Sequence, residues 1–568
     1  MNKNLLFFLV LLGGLFFCSY TKAQQTEEEH FETSKQLDVF NALVKELDMF
    51  YVDTINAKTV IRSGIDYMLS KLDPYTNYFP EEEISELKFI TTGEYAGIGS
   101  GIVQRNGKVY ITEPWEGMPA ALAGLQAGDE ILEIDGESLV GKTDAHASEK
   151  LKGQPNTIVK IKFQRPGEKK PQTVNITRKR IHVEPVKYYG VIRNNIGYIY
   201  LSNFTDQSAA DVKAAFEDLK NNRQITSLVL DLRDNPGGLM NDAIQLTNIF
   251  VPKGEIVLTT KGKLKQWDRT YRTTQEPVDN QIPLAVLVNR GSASSSEIVA
   301  GALQDLDRAV IVGSRTFGKG LVQASRELPY NGGLKITTSK YYIPSGRCIQ
   351  AIDYSHRNPD GSVAAVPDSL TSIFLTSKGR EVRDGGGVTP DFAVEEKKTP
   401  SIIYYLVSDY ILFDFATEYK QVHKTIPPVA EFVITDENYQ QFKAFVKEKN
   451  FDYDRQSGKA MDALKETMEF EGYMDVASEE FKALEEKLKP NLDRDLDLYK
   501  DVISKFLAQE IVKRYYYQKG EILETLKDDP DLEKAIEVLS DKALYSETLK
   551  IENGELKVES VGIANNSF

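Results

Sequence analysis

Apolar side chains recur at helical spacing near the start of the chain. Between residues 40 and 47 they follow the i, i+3, i+4, i+7 pattern of an amphipathic helix, and residues 61–72 repeat this pattern. The dipeptide Asp73-Pro74 then interrupts it. We therefore predict two helices in an N-terminal helical segment, which we assign to residues 24–90.

The pattern changes twice along the rest of the chain. Residues 91–180 contain short β-type runs separated by glycines, such as Val109-Tyr110-Ile111, and predict a β-rich module. Between residues 181 and 395 apolar runs alternate with helical stretches, which indicates an α/β core. Helical spacing returns in residues 396–568. The predicted fold class is a multidomain α/β (α+β) protein with an inserted β-rich domain, an N-terminal helical segment and a C-terminal α-helical domain.

The composition is that of an ordinary globular protein. Hydrophobic residues make up 41% and charged residues 27% of the 568 residues. The 84 acidic and 69 basic residues give a net charge of −15, so the chain as a whole repels nucleic acid and anionic membrane surfaces. Because only two cysteines are present, Cys18 and Cys348, a disulfide framework and a cysteine-based zinc site are excluded.

The first residues have the layout of a secretory signal. Lys3 precedes an apolar stretch from Leu5 to Cys18, and the small-residue exit Thr21-Lys22-Ala23 follows. The stretch is shorter than the roughly 20 apolar residues of a membrane-spanning helix. We expect residues 1–23 to be a cleaved signal peptide, with an uncleaved membrane anchor as the alternative. The predicted location is periplasmic or extracellular, with no stable membrane span after cleavage.

A serine cluster lies at a predicted strand-to-helix turn. The apolar run Leu284–Val288 is followed by serines at positions 292 and 294–296, and then by an apolar helix from Ile298. A hydroxyl at such a turn lies beside free backbone N–H groups and the positive end of a helix, which suits a nucleophile. The alternative is an ordinary helix N-cap.

Lys319 is the candidate general base. It lies near Phe317 and Leu321-Val322, and loss of hydration there is expected to lower the pKa of its amine from about 10.4 toward about 7 or 8. A neutral lysine accepts a serine proton. Gln323 has the chemistry to orient the amine, although a plain exposed residue is an equal alternative. A phosphate-binding loop is disfavoured, because Gly320 stands where that loop needs Ser or Thr.

A glycine turn upstream supplies candidate oxyanion donors. Asp231 ends an apolar run, and Gly237 and Gly238 close the turn after it. Glycines let backbone N–H groups approach a ligand closely, so Gly237 or Gly238, together with the N–H of Ser295, is predicted to bind an oxyanion. The alternative is a simple turn. None of the five histidines has metal-ligand spacing, so a zinc hydrolase is not predicted.

Several separated motifs occur together in one order. They are Asp-Leu-Arg-Asp-Asn-Pro-Gly-Gly at 231–238, Gly-Ser-Ala-Ser-Ser-Ser-Glu-Ile at 291–298, Thr-Phe-Gly-Lys-Gly-Leu-Val-Gln at 316–323, Tyr-Ile-Pro-Ser-Gly-Arg at 342–347 and Gly-Val-Thr-Pro-Asp at 387–391. With these motifs, residues 36–395 resemble the C-terminal processing peptidases, or tail-specific serine proteases. The resemblance implies Ser294 as nucleophile, Lys319 as general base and Gln323 as its orienting partner. It also implies supporting roles for Arg233 and Asp305, and no metal or organic cofactor.

The β-rich module resembles a PDZ domain. The segments at 96–102 and 120–136 carry the resemblance. A PDZ domain adds the C-terminal strand of a peptide to its sheet edge and holds the terminal carboxylate with backbone N–H groups. The alternative is a rigid spacer with a degenerate groove. The resemblance implies a carboxylate-binding loop made of Gly97, Ile98, Gly99, Ser100 and Gly101.

These features predict an exported serine endopeptidase that binds protein C-terminal tails through its PDZ domain and cleaves them through an acyl-enzyme. Its expected partners are protein or peptide substrates with free C-termini. The alternative from another class is a non-catalytic PDZ scaffold with an inert protease-like core. For the C-terminal helical domain, self-association, coverage of the protease and adaptor binding remain open.

Overall fold

The computed structural model describes residues 30–84, 88, 92–358, 360–395 and 398–550. The predicted signal peptide at residues 1–23 lies outside the described residues. The chain divides into two compact units. One contains residues up to Pro80 together with Ser325–Thr337, and the other contains Glu81–Ala324 and Thr338–Phe568.

The smaller unit has the two helices that the apolar spacing predicts. The Asn56 side chain caps the second helix by accepting a hydrogen bond from the Thr59 amide at 3.2 Å. After that helix the Asp73 carboxylate accepts backbone amides of the next turn at 2.8 Å, which fixes the predicted break. A short strand then pairs antiparallel with residues 333–335. The elements are α1 (residues 30–50), α2 (Ala57–Ser70) and β1 (Asn77–Phe79).

The β-rich module has the strands that its alternating pattern predicts. They are β2 (Glu94–Gly97), β3 (Ser100–Arg105), β4 (Lys108–Pro114), β5 (Glu130–Ile134), β6 (Glu137–Ser138), β7 (Ile158–Gln164), β8 (Gln172–Thr177) and β9 (Lys179–His182), with α3 (Pro119–Leu122) and α4 (Asp144–Leu151) between them. The sheet order is β3-β4-β5-β7-β8, and β2 pairs with β9. The side chains of Ile111, Ile131 and Ile161 are buried in its core.

The next segment forms the α/β core. Its elements are β10 (Val186–Val191), β11 (Ile196–Leu201), α5 (Ser208–Asn221), β12 (Ser227–Asp231), α6 (Met240–Asn248), β13 (Ile256–Gly262), β14 (Arg269–Arg272), β15 (Leu284–Val288), α7 (Ser295–Asp305) and β16 (Val310–Gly313). Strands β12, β15 and β16 are parallel neighbours in one sheet. Their carboxyl ends therefore share one edge, where the loops that begin at residues 232, 289 and 314 come together.

Further strands complete this region. They are β17 (Leu321–Leu328), β18 (Gly332–Tyr342), β19 (Ile352–Arg357), β20 (Val363–Ala365), β21 (Ile373–Leu375), β22 (Glu381–Arg383) and β23 (Phe392–Ala393). β23 returns to the core sheet, whose full order is β10-β11-β12-β15-β16-β23. Because β17 begins directly after Gly320, the segment lacks the helix that a phosphate-binding loop needs at this point.

The C-terminal region is helical, as predicted. Its helices are α8 (Ser401–Ser408), α9 (Ile411–Val422), α10 (Asp436–Glu448), α11 (Gln456–Glu471), α12 (Ser478–Lys487), α13 (Leu492–Leu498), α14 (Lys500–Thr525), α15 (Pro530–Ser540) and α16 (Lys542–Thr548). Leu406, Phe442 and Ile511 belong to a separate helical core. Helices α15 and α16 instead pack on the core sheet, where Leu532 and Val538 share an apolar cluster with β12 and β15.

The core sheet is thus covered on both faces. Helices α5, α6 and α7 share an apolar cluster with one face, and α15 and α16 cover the other. This arrangement, with the inserted β-rich module and the helical C-terminal region, confirms the predicted fold class. Within the ranges described above, no helix is both long enough and apolar enough to cross a membrane.

Candidate active site

Ser294 lies in a strained turn between β15 and α7. Its φ of 55° and ψ of −112° are rare for a residue other than glycine and cost about 1–3 kcal/mol. The Ser294 N–H donates to Glu297 Oε2 at 2.8 Å, and its carbonyl accepts from the Tyr341 hydroxyl at 3.2 Å. The preceding Ala293 N–H donates to the Asn235 carbonyl at 3.0 Å. Strain that is held in place in this way is typical of functional residues.

The other serines of the cluster use their hydroxyl groups to hold backbone. The hydroxyls of Ser292, Ser295 and Ser296 each donate to a carbonyl of residues 232–238, which we call the glycine loop, at 2.8, 3.0 and 2.9 Å. These three residues are buried, at 1% exposure or less, whereas Ser294 is only half-buried. Among the four serines, the position of Ser294 is therefore the most suitable for attack on a substrate.

One buried carboxylate connects the serine turn with the lysine segment. Glu297 Oε2 accepts the N–H of Ser294 and the N–H of Lys319, both at 2.8 Å. Glu297 Oε1 accepts the Thr316 hydroxyl at 2.6 Å and the Gly318 N–H at 2.7 Å. Burial raises the pKa of Glu297, while these hydrogen bonds favour its ionised form. The backbone nitrogens of Ser294 and Lys319 therefore lie within two hydrogen-bond lengths of each other.

Two glycines allow close packing on either side of Lys319. At Gly318 φ is 86°, and a Cβ there would lie 2.4 Å from the Cβ of Ala351. A Cβ on Gly320 would lie 2.8 Å from the backbone nitrogen of Gln350. The two positions need glycine because larger residues would collide with the neighbouring chain.

The apolar surroundings predicted for Lys319 are present only in part. The Lys319 side chain is half-buried, and Leu321 is 8% exposed. Phe317, however, is 49% exposed, so the expectation that it shields the lysine from water is wrong. Gln323 is also half-buried and lies in β17, four residues after Lys319. Its role in orienting the amine stays a prediction.

The glycine loop packs directly against Ser294. At Gly237 φ is 94°, and a Cβ there would lie 2.8 Å from the Cβ of Ser294, so this position requires glycine. The Gly237 N–H donates to Asn235 Oδ1 at 2.9 Å and is thus engaged within the loop. The Gly238 carbonyl accepts the Ser295 hydroxyl at 3.0 Å. The structure therefore brings the predicted oxyanion donors and the predicted nucleophile together.

The two predicted supporting residues form separate ion pairs. Arg233 binds Asp231 at 2.6 Å and Asp529, at the start of α15, at 2.5 Å. Asp305, at the end of α7, is fully buried and binds Arg347 at 2.9 Å. Burial raises the pKa of Asp305, and the positive charge of Arg347 counteracts this effect. Arg233 thus links the glycine loop to α15, whereas Asp305 lies at the far end of α7 from Ser294.

The predicted carboxylate loop of the PDZ domain, residues 97–101, spans the end of β2 and the start of β3. The Tyr95 ring lies against this loop, because a Cβ on Gly97 would lie 2.8 Å from Tyr95 Cε2. Burial raises the pKa of Tyr95 to about 12, while the nearby backbone of Gly99 and Ser100 acts in the opposite direction.

The sequence analysis missed the residues that organise the turn, namely Glu297, Tyr341 and Asn235. An acidic residue at the start of an otherwise apolar helix is the signal that would have identified Glu297. In the part of the chain that the structure describes, no group of three or more His, Cys, Asp or Glu residues is arranged to hold a metal ion.

Three protein families match separate parts of the sequence. Peptidase family S41 matches residues 195–363, and the PDZ domain matches residues 110–165. The family described as probable PDZ-protease, C-terminal helical domain, matches residues 402–539. Along the chain, these matches fall in the β-rich module, the α/β core and the C-terminal helices.

Known proteins show the same similarity over longer stretches. The carboxy-terminal-processing protease of Bartonella bacilliformis is 37% identical over 386 residues, which cover 66% of this chain and 88% of that protein. A protein of Staphylococcus haemolyticus named as a CtpA-like serine protease is 34% identical over 346 residues, covering 60% of this chain and 67% of its own length. Among solved structures, the photosystem II D1 C-terminal processing protease is 27% identical, with a TM-score of 0.34, and the match covers 63% of this chain and 92% of that one. The chain therefore belongs to the carboxy-terminal-processing protease family of serine peptidases, within peptidase family S41.

Proposed function

We propose that this protein is an exported serine endopeptidase that engages the C-terminal tail of a protein substrate and cleaves it with Ser294 and Lys319. Ser294 attacks the peptide carbonyl, and Lys319 accepts the hydroxyl proton and passes it to the leaving amine. Gln323 orients the lysine amine. Water then hydrolyses the acyl-enzyme, with Lys319 again acting as base.

The hydrogen bonds of Glu297 carry this proposal. A single carboxylate oxygen accepts the backbone N–H of Ser294 and that of Lys319, both at 2.8 Å. The backbones of Ser294 and Lys319, which are separated in sequence, are thus held close together by one side chain. The strained backbone of Ser294 and its half-buried position support its role as nucleophile.

We assign the oxyanion donors to the N–H groups of Gly238 and Ser295. The Gly237 N–H is engaged with Asn235 Oδ1, which favours Gly238 among the two glycines. Ser295 begins α7, and the N–H groups of a first helical turn have no acceptor within the helix. The positive end of this helix adds to the stabilisation of negative charge.

The PDZ domain is the proposed tail receptor. Its loop at residues 97–101 is the proposed site of the terminal carboxylate, which backbone N–H groups of the loop would hold. Export follows from the signal-like residues 1–23, and it is tested by N-terminal sequencing of the mature protein. A mature chain that still begins at residue 1 would contradict cleavage of the signal.

The function is tested by degradation of an unfolded reporter with a free apolar C-terminus. We expect cleavage by the wild type and none by Ser294→Ala. Ser457→Ala is the matched control, because it makes the same chemical change at an exposed residue of α11, outside the serine turn. Amidation of the reporter tail should slow cleavage, since the carboxylate is then lost.

The same assay separates the protease from the inert scaffold. A serine-reactive probe should label the wild type and Ser457→Ala but not Ser294→Ala. If the wild type binds the free tail but neither cleaves the reporter nor reacts with the probe, the protein is a non-catalytic PDZ scaffold. If Ser294→Ala cleaves as fast as the wild type, the assigned nucleophile is wrong.

A further inference from the structure

Arg233 uses its entire guanidinium group in one buried ion cluster. Its Nε and Nη2 donate to Asp231 at 3.0 and 2.6 Å, and its Nη1 and Nη2 donate to Asp529 at 2.9 and 2.5 Å. Nη1 also donates to Asp531 Oδ2 at 3.0 Å. All five N–H donors of the arginine are thereby used. The planar group is fixed in both position and orientation.

The cluster joins two distant parts of the chain. Asp231 is the last residue of β12, and Asp529 is the N-cap of α15. The side chains of Asp231 and Asp529 are at most 4% exposed. Burial opposes the charge of Arg233, but the carboxylates of Asp231 and Asp529 outweigh it and raise the pKa of the guanidinium. The guanidinium of Arg233 therefore stays charged across the ordinary pH range.

Arg233 lies in the glycine loop, and later residues of the same loop contact the turn that carries Ser294. The Asn235 side-chain amide donates to the Leu201 carbonyl at 2.9 Å. The Asn235 backbone carbonyl accepts hydrogen bonds from the Ser296 hydroxyl and the Ala293 N–H of the serine turn. Gly237 follows and packs against the Cβ of Ser294. A displacement of Arg233 is thus transmitted through a short hydrogen-bonded segment to Gly238.

We propose that Asp529 and Asp531 are positioning residues for peptide-bond cleavage. They fix Arg233, and through Arg233 they hold the N–H of Gly238 where it meets the oxyanion. Neither aspartate touches the substrate. This inference rests on the proposed function, because it names a support for one of the proposed oxyanion donors.

The competing explanation is that the cluster only fastens α15 to the sheet. In that case its loss would lower stability but leave kcat of the folded enzyme unchanged. Helix α15 is also held by apolar side chains, including Leu532 and Val538, which pack on β12 and β15. The helix therefore stays in place when one ionic interaction is weakened, and the two explanations can be separated.

Asp529→Asn is the decisive variant. Asparagine caps a helix as well as aspartate does, so the start of α15 is preserved while one charge and one acceptor facing Arg233 are lost. We expect kcat to fall about tenfold, because an oxyanion donor is displaced. KM and the affinity for a free tail peptide should stay within about twofold of the wild type, since the PDZ domain is untouched. Labelling of Ser294 by a serine-reactive probe should slow in parallel.

Glu533→Gln is the matched control. Glu533 lies on the same helix and pairs with Arg193, but both side chains are largely exposed. We expect wild-type kcat for this variant. Arg233→Lys should lose activity as well, and combining it with Asp529→Asn should add little, because both changes act through one ion pair. Should Asp529→Asn reduce the folded fraction, Asp531→Asn gives the same comparison with a milder change, since Asp531 accepts a single hydrogen bond from Arg233.

The outcomes separate this inference from the proposed function. Wild-type kcat for Asp529→Asn or for Asp531→Asn in folded protein, or an equal loss for Glu533→Gln, overturns the positioning role and leaves the protease assignment intact. Wild-type cleavage by Ser294→Ala overturns the assigned nucleophile. A wild-type chain that neither cleaves nor reacts with the probe overturns both.

Discussion

Replacement of Glu297 with glutamine is the sharpest test of how the site is organised. The carboxylate accepts four hydrogen bonds, from Ser294, Thr316, Gly318 and Lys319, at distances of 2.6 to 2.8 Å. In Glu297→Gln one oxygen becomes an amide nitrogen, which donates and does not accept. Two buried donors therefore lose their acceptor, at a cost of about 1–3 kcal/mol each.

The expected loss of stability follows from these hydrogen bonds. Leaving two donors unpaired costs about 2–6 kcal/mol in the free energy of unfolding. Part of this cost is offset, because a neutral amide is easier to bury than the Glu297 carboxylate, whose pKa is raised by burial. We expect a net decrease of about 2–4 kcal/mol in the free energy of unfolding. Catalysis should suffer more, because a displacement of about 1 Å between Ser294 and Lys319 is sufficient to lower kcat about 100-fold.

The assay compares kcat, tail-peptide affinity and denaturant unfolding for Glu297→Gln and for Asp129→Asn. Asp129 is a buried carboxylate of the PDZ domain that accepts the Gln126 N–H and an Arg165 N–H, both at 2.8 Å. This control makes the same chemical change away from the serine turn, so it should lower stability but leave kcat unchanged. Folded Glu297→Gln with kcat within about threefold of the wild type would refute the reasoning.

The remaining predictions concern the lysine, the two loops and pH. Lys319→Ala should abolish cleavage while the fold and tail binding persist, and near wild-type turnover would show that the base is wrong. Gly237→Ala should lower kcat by about 100-fold, because the new Cβ would lie 2.8 Å from that of Ser294; an unchanged kcat would contradict this packing. Gly99→Ala should lower the affinity for a free tail peptide by about tenfold without affecting an amidated one, because a Cβ at this φ of 70° would lie 2.5 Å from that of Met118 and displace the loop. Equal affinity in fluorescence anisotropy would argue against a carboxylate site in this loop. Activity should fall as the pH drops, first because Lys319 takes up a proton and no longer acts as a base, and further through the raised pKa of Glu297, above its ordinary 4.5, because the protonated carboxyl loses an acceptor. A raised folded pKa means that Glu297 itself stabilises the fold on acidification, so circular dichroism should be unchanged in this window. Activity that persists to below about pH 4 would contradict both roles.

The sequence predicts the parts of the site that are local patterns. An apolar strand, a serine-rich turn and an apolar helix are adjacent in the chain, so the serine turn follows from residues 284–303, whereas the choice of Ser294 among its serines rests on the family resemblance. Gly318 and Gly320, on either side of Lys319, are predicted from the sequence in the same way. The exposure of Phe317 is not predicted from the sequence, because it depends on which segments cover the loop in three dimensions.

Interactions between distant segments account for what the sequence did not predict. In the sequence Glu297 is only an acidic residue in a first helical turn, a position that is commonly favoured by the helix dipole. Its partners in the lysine segment lie 19 to 22 residues away. The carboxylates that bind Arg233 from α15 lie 296 and 298 residues away, and no local periodicity indicates such a pair.

The packing of α15 and α16 on the core sheet has a consequence for biosynthesis. A ribosome delivers the serine and lysine segments well before it delivers Leu532 and Val538, which cover one face of β12 and β15. Until those residues emerge, that apolar face has no cover and the sheet beneath the serine turn is incomplete. Vectorial delivery of the chain therefore leaves this face of the sheet uncovered until almost the whole helical domain has followed it.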